Sequence, residues 1–237
     1  MSLYEAIEEI GEKNRSRKAG VGGEIGGVVV GVVTKNSDSE NKGKVCVKIP
    51  SREDSGNILE WVKVAMPMSG KNWGYYFLPE VGDQVLVAFE YGSVENPYVI
   101  GCIPRGDSQL ISKNYNNDND NKVIVTKGGN SIDISDKDGN ESITLTTKAE
   151  HSFTLDDGED KITLKDKSGD NHIEIDTRGG NVEIQVKNKI TLKAGKTTIE
   201  INGSSDTVTI KCQQLNAETK RGIKFKTSAF NVSSSSF

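Results

Sequence analysis

The sequence predicts an all-β protein built in two parts, a small five-stranded barrel followed by an elongated array of short repeated strands. Three observations carry this prediction. Five runs rich in Val, Ile and aromatic residues fall within residues 28–104, with no helical pattern between them. From residue 123 onward, apolar residues come as alternating i, i+2 pairs at intervals of eight to eleven residues. Hydrophobic content is 34% over 237 residues, and mean hydropathy is -0.51. That is too little for a chain of this length to cover its own core. Such a chain carries a disordered part or shares its core with other copies of itself.

Four segments follow in order: 1–27, 28–104, 105–122 and 123–237. In the first, Leu3, Ala6, Ile7 and Ile10 fall on one side of a predicted helix over residues 3–17, and Glu5, Glu8, Glu9 and Lys13 on the other. The stripe is too short to hold a helix by itself, so it is expected to dock on its own domain or on a partner chain. A Gly-rich connector over residues 19–27 links it to the next segment.

Residues 28–104 hold the strand candidates 28–34, 43–49, 61–66, 84–91 and 98–103, bounded by Gly, Pro, Asn and Asp. Five strands in fewer than 80 residues fit the oligonucleotide/oligosaccharide-binding (OB) barrel. Cys46 and Cys102 lie inside apolar strand patterns, where small buried thiols are expected. With Cys212 they make an odd, widely spaced set, which is neither a disulfide framework nor a zinc site. Residues 105–122 are polar and Asn/Asp-rich and read as a linker or long loop. The Arg105-Gly106-Asp107 tripeptide within them reads as a chance match to an adhesion motif.

Residues 123–237 carry the pairs Ile132/Ile134, Ile143/Leu145, Phe153/Leu155, Ile162/Leu164, Ile173/Ile175, Val182/Ile184, Ile190/Leu192, Ile199/Ile201 and Val208/Ile210. Ile223/Phe225 is a candidate last copy. Turn formers such as Asp138-Gly139, Ser168-Gly169 and Gly179-Gly180 separate them. Each repeat offers about two apolar side chains for some ten ordered residues, too little to offset the backbone entropy of ordering them. Three chains meeting around one axis would give the pairs a common dry core and leave Lys, Asp, Glu and Thr outside. The repeat therefore predicts a homotrimeric needle.

The barrel segment also resembles a known family. Trp61 opens a strand that leads to a Gly-containing loop with Trp73 and Gly74. Phe77, Pro79, Val81, Gly82 and Asp83 then run into Val85-Leu86-Val87 and Phe89. Pro97 and a strand ending in Ile100-Gly101 complete the pattern. This order is similar to the OB domain of phage baseplate assembly protein V and the VgrG spikes. The resemblance implies a trimeric β-helix or β-prism needle after the barrel and a place at the centre of a contractile injection machine. It implies a hub on the N-terminal side, a PAAR-type tip or effector on the C-terminal side, and a target membrane met on firing. Physical roles fit as well: Gly82-Asp83 suits a tight turn, Pro79 ends strand pairing, and Trp61, Trp73, Phe77 and Phe89 are candidate barrel-core or trimer contacts.

The pattern departs from the larger members in ways that carry expectations. About 27 residues precede the barrel, so the hub is expected to be a separate chain. There is no room for a lysozyme-type domain. His151 and His172 lie far apart, so a His-x-His metal apex is not expected, and the tip is expected to be supplied by another protein. The chain is expected to be made in the cytoplasm without a signal peptide and to end in a phage tail-like particle.

Other chemistry is not expected. The segment from Ile134 to Leu145 fails as a calcium loop, because its first and last ligand positions are apolar. No phosphate-binding loop, dinucleotide fingerprint or nucleophile elbow occurs. No cofactor and no enzyme activity are expected. The net charge of -4, with signs interspersed, gives no nucleic-acid surface. A receptor- or glycan-binding tail fibre is the alternative reading of the same β trimer.

Overall fold

Strand propensity is realised wherever a Val- or Ile-rich run meets a turn former. The computed structural model describes residues 25–51 and 57–232, so the expected helix bearing Leu3, Ala6, Ile7 and Ile10 lies outside the described residues. The chain divides into two compact units, between Lys113 and Asn114.

The first unit is a closed barrel of β1 (Val28–Lys35), β2 (Lys44–Lys48), β3 (Ile58–Val64), β4 (Gln84–Phe89) and β5 (Pro97–Ile103), in the order β1-β2-β3-β5-β4 and back to β1. Only the β3–β5 pair is parallel. This is the Greek-key barrel expected from the sequence. Alternate residues point inward, so Val33, Val45, Val47, Ile49, Leu59, Val62, Val85, Val87, Phe89 and Val99 form the core. Gly31 lets β2 cross closely over β1: a Cβ there would lie 2.3 Å from Val47 Cγ1.

Three register shifts bend the strands around this small core. Thr34 is the extra residue on β1 and Ile100 on β5. On β3, Glu60 and Trp61 together face Cys46, and Trp61 takes a left-handed backbone (φ 52°).

These bulges and one long loop correct several sequence expectations. Of the four aromatic candidates for barrel-core or trimer contacts, only Phe89 lies in the barrel core. The β3 bulge leaves Trp61 half-buried, while Trp73 and Phe77, 62% and 60% exposed, stand on the loop between β3 and β4. Cys46 is buried as expected, but Cys102, past the β5 bulge and near the strand end, is exposed. Shielding by the barrel wall, with a contribution from the Asp83 charge, still raises its thiol pKa. Between the barrel and the strands that follow, a short helix α1 (Gln109–Asn114) replaces part of the expected loop. Arg105 Nε pairs with Asp107 Oδ1 at 3.2 Å, so the charges of that tripeptide are turned on each other.

The second unit is an antiparallel meander. Its seven-stranded sheet comprises β6 (Asn121–Val125), β7 (Ser131–Ser135), β8 (Ser142–Thr146), β9 (Ser152–Asp156), β10 (Lys161–Lys165), β11 (His172–Asp176) and β12 (Asn181–Gln185), each strand beside the next. A separate three-stranded sheet holds β13 (Lys189–Ala194), β14 (Thr197–Asn202) and β15 (Thr207–Lys211). All nine apolar pairs lie on strands of their own. The candidate tenth does not: residues 212–232 form no strand, and Ile223 and Phe225 are exposed.

Ile49 is fully buried at the end of β2. Ile49→Ala is expected to destabilise the barrel by about 2–5 kcal/mol through lost burial and a residual cavity. Urea unfolding followed by tryptophan fluorescence checks this, and an unchanged midpoint would remove Ile49 from the core.

Candidate functional site

Hydrogen-bond register decides which side chains share a face, and in the second unit it brings the apolar pairs into line. Ile132 faces Leu145 and Ile134 faces Ile143; Leu145 faces Phe153 and Ile143 faces Leu155. The match continues through Leu164 and Ile162, Ile173 and Ile175, and Ile184 and Val182. Two columns of apolar side chains therefore cross six of the seven strands, from β7 to β12. The three-stranded sheet repeats the arrangement, with Ile190, Ile201 and Val208 in one column and Leu192, Ile199 and Ile210 in the other.

This face is bare in the single chain. Every buried apolar side chain among the described residues belongs to the barrel. Leu164, Ile173, Ile184, Leu192, Ile201 and Ile210 are exposed, and Val182 and Val208 reach 67%. A contiguous apolar surface of this kind marks an interaction site. β6 extends it by one position, since Ile124 stands opposite Ile132 while Lys122 stands opposite Ile134. The i, i+2 apolar pattern does not extend to Ile124, because its partner position is Lys122. The Val123-Ile124-Val125 run was the signal for this strand.

The opposite face is polar. Thr144, Thr154 and Thr163 follow one another across β8, β9 and β10, with Thr144 Oγ1 donating to Thr154 Oγ1 at 3.2 Å. Lys161 Nζ lies 3.2 Å from Glu174 Oε1, and this hydrogen bond raises the lysine pKa. Lys189 approaches Glu200 at 3.4 Å and Lys167 approaches Glu150 at 2.9 Å. Such exposed pairs keep the face wet and add little stability.

Turns are tied to one another along the edges of the sheet. Asp136 N donates to Asp120 O (2.8 Å), Asp157 N to Glu141 O (3.0 Å) and Thr177 N to Asp160 O (2.9 Å). Asp166 organises the β10–β11 turn by accepting from Asn171 Nδ2 (2.5 Å), Ser168 Oγ (2.9 Å) and Gly169 N (2.8 Å). These donors, the Asn171 amide first, lower its pKa to about 2. His172 Nδ1 lies 2.9 Å from Gly169 O in the same turn. Among the described residues, no three His, Cys, Asp or Glu side chains are grouped to hold a metal ion, and no helix is long and apolar enough to cross a membrane.

The family-pattern residues of the barrel serve two local purposes. Gly82 (φ 96°) and Asp83 close a turn in which Asp83 N donates to Glu80 O (3.0 Å) and Glu80 N to Asp83 Oδ2 (2.8 Å). Gly82 N also reaches Val33 O (2.9 Å), which fixes the turn to β1. The β3–β4 loop folds back through Tyr75 N to Met68 O (2.9 Å) and Gly70 N to Trp73 O (2.8 Å). Gly74 (φ 136°) is needed there, since a Cβ would lie 2.5 Å from Met68 O. This loop presents Tyr75 and Tyr76 beside Trp73 and Phe77, all exposed. The two tyrosines were not singled out from the sequence, although the aromatic run itself was in view.

A closed OB barrel followed in the chain by a meander with one bare apolar face defines a barrel-and-β-array protein. The comparisons agree. Residues 29–103, about a third of the chain, match the family described as the Type VI secretion system/phage-baseplate injector OB domain. Three curated relatives from Pseudomonas aeruginosa are Type VI secretion system spike proteins. VgrG1b is 26% identical over 142 residues, covering 56% of this chain and 19% of the relative. VgrG1c is also 26% identical over 142 residues, covering 56% and 20%. VgrG1a is 28% identical over 128 residues, covering 50% and 20%. The chain thus spans about a fifth of the length of the curated relatives it matches. It is similar to the baseplate V and VgrG proteins.

The Asp166 turn gives a pH expectation. A carboxyl group whose pKa falls on folding stabilises above its ordinary pKa, and that contribution is lost as pH drops through the folded value. The β10–β11 turn should therefore hold at pH 4 and loosen as pH falls toward 2. A carbon-13 carboxyl titration of Asp166 checks this, and a midpoint near 4 would show that the turn does not hold the ionised form.

Proposed function

We propose that three copies of this chain form the central spike of a contractile phage tail-like injection machine. The observation that carries the reading is the bare apolar face, two side chains wide, behind an injector OB barrel. A two-column face is too narrow to fold over itself and has no covering layer among the described residues. Around a three-fold axis each copy supplies one wall, and the Ile, Leu and Val columns meet in a dry centre. The Lys, Glu and Thr face then points to water. Such a prism works by stiffness, because each strand is hydrogen-bonded to the next along the direction of thrust. In this reading the protein is a mechanical part and not an enzyme. Sheath contraction drives it through the target envelope.

Partners follow from the same reading. The N-terminal side seats on a separate hub. At the other end, β15 closes the array with one edge unpaired, and open strand edges call for a cover. A PAAR-type cone or an effector would supply it. Deleting residues 1–18 should weaken hub binding and leave the assembly intact, and deleting 227–237 should abolish tip capture alone. Pull-downs with the neighbouring gene products check this polarity, and the opposite pattern would reverse it.

Assembly itself is checked by placing one charge on either face. The wild type should sediment as a trimer at micromolar concentration. Ile173→Lys, which brings three cations to the axis, should break the assembly, because unpaired buried charge costs several kcal/mol. Thr163→Lys, on the polar face opposite Glu174, should stay within about 0.5 kcal/mol of wild type. A well-folded wild-type monomer, or equal behaviour of the two variants, would overturn the trimeric reading.

A further inference from the structure

The second unit contains one junction unlike the others. Eight of its connections are hairpin turns, and each holds one residue with a left-handed backbone: Gly129, Gly139, Glu150, Asp160, Gly169, Gly180, Gly195 and Asp206. Short hairpin loops need such a residue to reverse the chain. The ninth connection, Val186-Lys187-Asn188 between β12 and β13, has none. It contains no glycine and begins with a β-branched residue. Here, and only here among the described strands of this unit, consecutive strands are not hydrogen-bonded to each other.

The gap is not a mismatch of sequence. Val182/Ile184 and Ile190/Leu192 would lie opposite each other if β12 and β13 paired, as they do at every other junction. Nor is the connector loose. Lys187 N donates to Asn171 Oδ1 (3.0 Å), and Gly203 N donates to Asn188 O (2.8 Å). The segment is thus anchored to the β10–β11 turn and to the β14–β15 turn, while the two matching strand edges stay unpaired. Polar side chains on these edges match as well. Glu183 would face Thr191 and have Lys189 and Lys193 as its diagonal neighbours, an arrangement of opposite charges that favours pairing.

We infer that residues 186–188 are a crossover at which the chain passes from its own sheet to that of a neighbouring copy, so that β12 of one copy pairs with β13 of another. The inference rests on the proposed trimer. A head-to-tail contact of this kind closes into a ring of three. Each free edge is then filled, and the three chains are linked by main-chain hydrogen bonds as well as by their apolar faces. Whichever direction the strands run, the flanking apolar pairs bring Glu183 of one copy opposite Thr191 of the next.

A disulfide across this pair tests the inference. Opposed residues on neighbouring strands have Cα atoms about 4.5–5.5 Å apart, within the range a disulfide spans. The full chain carrying Cys102→Ser, Cys212→Ser, Glu183→Cys and Thr191→Cys is oxidised and run on a non-reducing denaturing gel, with sedimentation on the same sample. Thr154→Cys with Thr163→Cys, opposed within one chain, is the control for an internal bond. The expected result is a shift of the band from monomer to covalent trimer, reversed by reductant, with the control remaining at monomer. A sedimenting trimer that gives only internally bonded monomer, or no disulfide, overturns the crossover and leaves the spike reading standing. A sedimenting monomer overturns both.

Discussion

Everything in the second unit depends on one constraint: a sheet with two apolar residues per strand has an apolar face that the described residues leave exposed. The barrel meets the same physics differently. There, five strands curl until their inward residues touch, and three bulges supply the bending. The meander has no comparable register shift from β6 to β12. Its regularity keeps the apolar columns straight, and the face stays open to a partner. One chain therefore holds a closed core in the barrel and an open apolar face in the meander.

The low apolar content of the sequence has its explanation in that difference. Among the described residues, a single copy buries large apolar side chains only in the barrel. The meander spends its residues on turns and on a polar outer face, with Thr, Lys and Glu between each pair of Ile or Leu. Stability of such a layer comes from cross-strand hydrogen bonds and turn networks like that of Asp166. Its specificity comes from the register that keeps one apolar pair opposite the next.

The period-2 pattern made the strands legible in the sequence because a one-residue slip would move Ile173 and Ile175 to the wrong face. The family pattern of Phe77 to Phe89 marked the barrel for a different reason: Gly82 and Asp83 close a turn that few other residues could make. What the sequence hid were positions where backbone geometry overrides residue type. Trp61 looks like core, yet a bulge turns it toward the surface. Trp73 and Phe77 look like core as well, yet the loop that carries them leaves the barrel wall. Cys102 follows an apolar pattern whose phase is shifted by Ile100. Val186-Lys187-Asn188 looks like one more turn, and only the missing left-handed residue sets it apart.

The hairpin construction of the meander also has a bearing on length. Neighbouring strands in a sheet stand about 4.7–4.9 Å apart, so a hairpin occupies roughly 9–10 Å of the direction across the strands. Removing β8 and β9 with one adjoining turn would return the chain to the same edge, running the same way, with Ile132/Ile134 brought against Ile162/Leu164. Gain or loss of whole hairpins is therefore a change that backbone direction, face and register all permit, whereas gain or loss of one strand reverses the path. An array built this way is a ruler graduated in hairpins, and its length can be reset in evolution or by design without redrawing the strands that remain.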